Sequence, residues 1–436
     1  MPAMHETREC LGARFEDSRF QLGLPFEGIL WMPAQNRNVP VQTHYALDLS
    51  NGVLHRVCVP LPAELAVDFG GPPPLGFPSH SGWRQFSIGP HSVIRRGTWE
   101  FEVGQRCYPR FVSIDLLARQ AFLKDPGVGG EFLSCTNWFD SNRSSLYFAS
   151  WPISGTLRRD RNPEEHVRTT IWRQMNDGTS TAHWQGEFGD LLHQVGGSPD
   201  DRLLVLCEMG MRARLPVPSG HPGTYPTEWA EFHRMGVTRS AILFLDAEKG
   251  DVWTVYSPVA TAAHVEFDPL DPTCCFISCH NLALLRGANA IFGGASILRY
   301  RITTEGPQLE AVFTHPEFFR ATSHQVFRFH GETLIAVTGF PDKVFVLDAR
   351  TMKLRSLLRL YSGSTVDTHG RPHFCVPDLL SPYGIAPSPD GSALFIVGSG
   401  TLTVVDLASG QIIAGPIHVF QYPDEEVIAG HLSYYA

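Results

Sequence analysis

Short apolar runs separated by polar turns recur along the whole chain, and two distinct patterns repeat. In the first, a short strand, a polar turn and a strongly apolar strand follow one another. It occurs at 191–210 (LLHQVGGSPDDRLLVLCEMG), 262–281, 322–340 and 381–400. The second pattern is out of phase with the first: an apolar strand ending in Asp, a tight turn, then another apolar strand. Strong copies end on Asp48, Asp115, Asp246, Asp348 and Asp406, and weaker ones turn at Asn176–Gly178 and Thr304–Gly306. Runs such as KVFVLDARTMKL and TLTVVDLASG are short, β-branched and bounded by turn residues, which predicts strands. Asp suits the turn because its carboxylate accepts nearby backbone N–H groups, and the Gly that often follows permits positive φ.

Interleaving the two patterns gives four-stranded units. Inner strands begin at His193, His264, His324 and Tyr383, with weaker starts near Trp83 and Thr136, spaced 53 to 71 residues apart. That spacing suits a propeller blade of roughly 40–50 residues plus loops. Segments 28–33, 43–49 and 52–60 supply three strands without an inner partner, and 431–436 (HLSYYA) is an inner strand with nothing after it. Together they complete one blade and remove an exposed sheet edge at each end. The expected fold is all-β: a seven-bladed β-propeller closed by pairing of the C-terminal strand with N-terminal strands. A misread weak copy would make it six or eight blades. The whole of 1–436 is read as one domain, with 1–25 as an N-terminal extension and 431–436 as the ring-closing strand. Insertions at 155–170 and 211–236 are read as rim loops able to cover one mouth of the channel.

Composition narrows the function classes. Gly 40 and Pro 33 agree with many turns. A net charge of -9, spread along the chain, argues against a nucleic-acid surface, which needs clustered Lys and Arg. No run of 18 apolar residues predicts a transmembrane helix, and the N-terminus lacks a signal-peptide core, so a cytoplasmic protein is expected. The nine cysteines follow no CxxC spacing and are read as reduced thiols. The adjacent Cys274 and Cys275 are expected on opposite faces of a strand.

The histidines carry the candidate chemistry. His193, His264 and His324 open three inner strands, and His431 opens the last, so four imidazoles are expected to converge on the axis as metal ligands. Neutral imidazole suits Fe, Cu, Ni and Zn. Zinc would close at four ligands, which favours a redox-capable ion accepting five or six. Fe(II) is therefore the favoured cofactor, with Mn, Ca and Zn as alternatives. Glu266 and Glu208 are candidate carboxylates behind the ligands, orienting an imidazole N–H. Trp83, Thr136 and Tyr383 stand at the matching position in blades without histidine, forming a substrate wall that suits an apolar or aromatic small molecule. His373 and Tyr383 are candidate catalytic residues at the mouth. Gln194 and Gln325 are read as packing or turn partners, and His280 and His330 as surface or rim residues.

Two resemblances add to this. The segment 381–412, with its GIA, SPDG and TVVDL elements, looks like the YVTN or lactonase-like propeller repeat. An axial set of four histidines from different blades resembles the carotenoid cleavage oxygenases, and AHVEFDPLDPTCCFIS, carrying His264, looks like that family's AHPK-DP-TGEL stretch. The resemblance implies a non-haem ferrous ion held by histidines without a carboxylate ligand, and an oxygenase acting on a small organic substrate. A second expectation is a divalent-metal-dependent lyase or isomerase resembling oligogalacturonate lyase, with Arg158, Arg159 and Arg320 near the mouth. A third is a non-enzymatic propeller scaffold.

Overall fold

The computed structural model describes residues 9–36, 41–60, 92–94, 100–104, 111–124, 128, 131–133, 138–140, 145–152, 167–175, 179–188, 192–208, 212–216, 240–259, 262–280, 282–286, 290–292, 294–319, 321, 323–339, 342–360, 384–398, 401–419, 425–426 and 433–435. The regular elements among them are all strands, arranged in seven antiparallel sheets and one small three-stranded sheet. We number the larger sheets by position in the chain. Sheet I comprises strands within 29–60, sheet II 92–124, sheet III 131–188, sheet IV 192–256, sheet V 262–319, sheet VI 324–359 and sheet VII 384–418.

Sheets IV to VII are plain meanders whose four strands pair in order of sequence. Their second and third strands are almost wholly apolar and buried, as in Leu203–Glu208 and Ala241–Asp246, because both faces are covered. The outer strands alternate with solvent, as in Val252–Tyr256. The apolar cores lie between successive sheets. Tyr147 and Ile171 of sheet III pack with Leu204 and Leu206 of IV, and Val205 and Phe244 of IV with Val265 and Ile277 of V. Phe276 of V then packs with Ile335 and Phe345 of VI, Phe327 of VI with Ile396 of VII, and Phe395 of VII with Leu30 and Tyr45 of I. Inner strands of neighbouring sheets also touch, Ala262–Asp268 against both Leu192–Gly197 and His324–Phe329. This face-to-face series is how propeller blades are built.

The Asp-ended turns have a common mechanism. Ser50, Ala118, Lys249, Thr351 and Ser409 each donate a backbone N–H to the carboxylate of Asp48, Asp115, Asp246, Asp348 and Asp406 respectively. The fourth residue after each Asp is left-handed: Gly52, Gly250 and Gly410 with φ of 69°, 76° and 69°, but Arg119 and Met352 with 52° and 54°. Cys274 and Cys275 enter different inter-sheet cores, as alternation requires. Cys58, Cys207, Cys274, Cys275 and Cys279 are buried thiols outside any disulfide.

At the chain ends, Ser433–Tyr435 pairs antiparallel with Ile29–Trp31, and Glu425–Glu426 with Gln35–Asn36. The segment read as an extension does more than extend. Glu9–Leu11 adds an outer strand to sheet II and Arg14–Arg19 adds one to sheet I. Arg119 of sheet II pins this strap by donating to Asp17 and to the Phe15 carbonyl, and His55 of sheet I contacts Asp17 at 3.0 Å. The small sheet joins Arg212–Pro216, inserted in sheet IV, to Leu282–Arg286 and Ala290–Phe292, inserted in sheet V. No helix among the described residues is long and apolar enough to cross a membrane.

Candidate metal centre

The inner strands of sheets IV, V and VI each begin beside a histidine, but their pairing differs in detail. His193 occupies a bulge, between Leu192 opposite Glu208 and Gln194 opposite Cys207. His264 follows a bulge and faces Ser278, whereas His324 faces Val337 in unbroken pairing. No single register therefore covers the three. Bulges re-aim side chains and are common beside functional sites, and two of the three strands carry one at or just before the histidine.

His324 is almost fully buried, at 1% exposure. Its Nε2 lies 3.2 Å from the Phe276 carbonyl of sheet V. A carbonyl only accepts, so Nε2 carries the proton and Nδ1 keeps its lone pair. That Nδ1 has no hydrogen-bond partner among the described residues. Burial pushes the imidazole down to about 4, only partly offset by the carbonyl, so the ring is neutral at pH 7. One N–H donated to a carbonyl, with the other nitrogen unprotonated, is the usual state of a metal-ligating histidine.

His264 is also buried. Its Nδ1 lies 3.5 Å from Ser278 Oγ, and its ring centroid is 5.7 Å from that of His280, tilted by 41°. His280, expected on the rim, is instead half-buried against the candidate site. His330 is exposed on a turn, as read from the sequence.

Glu266 is half-buried. It accepts from Gln325 Nε2 at 3.4 Å, across the boundary between the inner strands of sheets V and VI. Desolvation raises its carboxyl to about 8. Gln325, read as a packing partner, is thus the residue that holds this carboxyl. Glu208 is buried and accepts the Ala241 N–H at 2.7 Å, at the start of its own sheet's third strand.

Of the remaining sequence candidates, His431, His373, Tyr383, Trp83, Thr136, Arg158, Arg159 and Arg320 lie outside the described residues, as does the side chain of His193. Among the described residues no three His, Cys, Asp or Glu side chains are grouped to hold a metal. His324 alone has the chemistry of a ligand, a buried unprotonated nitrogen that meets no hydrogen-bond donor among the described residues.

A cavity of about 660 Å³ lies elsewhere, where the inner strands of sheets V and VI end, lined by Asp268, Asp271, Arg299, Arg301 and Arg328 among others. Several of its charges are already engaged. Arg301 pairs with Asp271 and Glu310, Arg299 with Glu310, and Arg328 bonds Thr333 and the Gly331 carbonyl.

No protein-family model matches the chain, and no curated protein matches it. Solved structures do. A tryptophan-to-alanine variant of the Synechocystis apocarotenoid oxygenase aligns with a TM-score of 0.54 at 11% identity, over 98% of this chain and 96% of that one. A cobalt-substituted Synechocystis ACO gives 0.55 at 10% identity, over 97% and 95%. A functionally unknown protein from Desulfotomaculum acetoxidans gives 0.51 at 12% identity, over 94% and 99%. At such identities the likeness is one of fold. The chain has an all-β, propeller-type architecture.

Proposed function

We propose that sheets I to VII are the blades of a seven-bladed propeller, closed by 433–435 on Ile29–Trp31, and that the protein is a metal-dependent enzyme. In this reading His193, His264, His324 and His431 hold a divalent ion at the axis, Fe(II) in preference to Mn, Ca or Zn. The reaction class is oxygenation or oxidation of a small apolar or aromatic molecule. The observation that carries the reading is His324, a buried neutral imidazole at the start of an inner strand, its Nε2–H donated and its Nδ1 without a partner among the described residues. The fold shared with an apocarotenoid oxygenase and with a cobalt-substituted ACO is in keeping with it.

When bound, such an ion supplies Lewis acidity and a redox couple at open coordination positions. The chain supplies the rest. The Phe276 carbonyl fixes the tautomer and orientation of His324, and Ser278 steadies His264. The Gln325–Glu266 bond ties the two inner strands together beside them. Neutral donors leave the full positive charge of the ion available to substrate.

Elemental analysis of untagged protein tests this directly. Stoichiometric iron is expected, and Ala at His193, His264, His324 or His431 should each lower it. Deleting 431–436 should cost metal and stability together, since it removes both His431 and the strand paired with Ile29–Trp31. A metal-free protein whose melting ignores chelators would end the reading.

A further inference from the structure

We propose that residues 9–26 close the ring a second time, as a strap fastened across sheets II, I and VII. This rests on the closed-ring reading above, in which the C-terminal strand makes the first closure. That first closure is slight: three residue pairs between Ser433–Tyr435 and Ile29–Trp31, and two between Glu425–Glu426 and Gln35–Asn36. The strap has a longer hold. Three pairs join Glu9–Leu11 to sheet II, and six join Arg14–Arg19 to sheet I.

The character of the strap changes where its neighbours change. Along the outer edge it is polar. Glu16 pairs with Arg56 of sheet I at 2.7 Å and Asp17 with Arg119 of sheet II at 2.8 Å, while the Arg119 guanidinium lies 5.3 Å from the Phe15 ring centre. Exposed ion pairs are each worth little, so these position the strap rather than lock it. At Phe20 the chain leaves the edge. Its N–H donates to the Gly52 carbonyl at 2.8 Å, and a Cβ on Gly52 would stand 2.1 Å from the Phe20 carbonyl oxygen, so this approach needs a glycine. From here FQLGLPF alternates: Phe20, Leu22, Leu24 and Phe26 are half-buried and the residues between them exposed. All four pack on the core shared by sheets I and VII, and Phe26 meets Phe395 of sheet VII with ring centroids 5.3 Å apart. The chain joins sheets I to VII in series, so the seam between VII and I is the one that only the closing strand would otherwise secure. Hiding four apolar side chains there opposes opening of that seam. Each attachment of the strap also holds the next one close, which raises its effective concentration.

The test is hydrogen–deuterium exchange of the wild type and four variants: deletion of 1–26, Phe26→Ala, Arg119→Gln and deletion of 431–436. Deleting 1–26 and Phe26→Ala should each speed amide exchange at least tenfold in Ile29–Asn36 of sheet I and in Ala393–Val397 and Thr401–Asp406 of sheet VII. Leu203–Glu208 of sheet IV should stay within twofold, because opening at one seam is a local event. Arg119→Gln should give a smaller rise, two- to fivefold, confined to Arg14–Arg19 and Gln120–Lys124. If the 1–26 deletion does not fold, Phe26→Ala decides at the seam. Faster exchange only in Val53–Pro60 and Gln120–Lys124, whose edges the deletion uncovers, with sheet VII within twofold, overturns the second closure. Equal acceleration in all sheets overturns it as well, since that is general destabilisation rather than opening at one seam. Deletion of 431–436 judges the first closure separately: unchanged exchange at Ile29–Trp31 overturns that reading whatever the strap variants show.

Discussion

Two deeply buried histidines in this molecule do opposite things with the same side chain. His44 sits in strand Val41–Asp48 of sheet I at 0% exposure, its ring 5.1 Å from that of Trp31. Neither of its ring nitrogens has a hydrogen-bond partner among the described residues. His324 is as buried, but it opens an inner strand, donates one N–H to a carbonyl and has one nitrogen that meets no partner among the described residues. Burial lowers both imidazoles, His44 to about 3 and His324 to about 4. Burial and a shifted pKa thus fail to tell a core filler from a proposed ligand. Position on the strand and the partner of the second nitrogen do.

Metal content separates the two most sharply. His324→Ala should lower metal affinity at least tenfold, the scale of losing even an outer partner of a ligand. His44→Leu should leave it within twofold. Equal metal loss in the two variants, measured by elemental analysis after dialysis against a weak chelator, would abolish the distinction.

In metal-free protein the difference should vanish and the pH dependence should be shared. Each imidazole stays neutral in the folded state, whereas the unfolded chain takes up a proton below about pH 6.5. Between there and the folded values the unfolded state binds more protons, so stability falls as pH falls, by about 1.4 kcal/mol per pH unit for each ring. Above pH 6.5 neither contributes a slope. The turn carboxylates Asp246, Asp348, Asp390 and Asp406 are held below their ordinary value; their stabilisation is complete above it and is lost only below, outside this window. The Glu266 carboxyl, raised to about 8, stays protonated in the folded state while the unfolded chain ionises it above about pH 4.5, so it contributes a slope of the same size and opposite sign. Urea unfolding from pH 7.5 to 4.5 should therefore show a net slope of about 1.4 kcal/mol per unit below pH 6, for the three groups together. His44→Leu should reduce it to about zero. An undiminished slope would mean that His44 takes up its proton in the native state.

The same contrast explains what could be read from the sequence. Asp-ended turns were legible because one carboxylate satisfies its own turn, a local rule that does not depend on the rest of the fold. The left-handed residue four places later was legible only at Gly52, Gly250 and Gly410; at Arg119 and Met352 the conformation is imposed by the hairpin. Histidine register was only half legible. His193 and His324 each stand ten residues before a matching leucine, Leu203 and Leu334. The intervening turns differ, however: the chain reverses through 199–202 in sheet IV but through His330–Gly331 in sheet VI. Equal spacing in sequence therefore gives unequal pairing. His280 and Gln325 were missed because their partners, His264 and Glu266, come from another strand, and no periodicity within one segment encodes that. The strand at Arg14–Arg19 was missed because an edge strand needs few apolar residues, and RFEDSR has one.

The smallest effect tests the comparison at its physical root. If His44 is a filler whose ring nitrogens meet no partner, it costs stability at every pH, and an apolar side chain of similar volume should do better. At pH 8, where protonation contributes nothing, His44→Leu should raise the unfolding free energy by about 1 kcal/mol, the usual penalty for a buried unsatisfied polar group. The gain should stay modest, because Leu forgoes the ring contact with Trp31. His324→Leu in metal-free protein should instead lose stability, since it leaves the buried Phe276 carbonyl without the N–H it now accepts. Opposite signs at pH 8 are the expected outcome. A loss at both positions would make His44 a bonded histidine like His324.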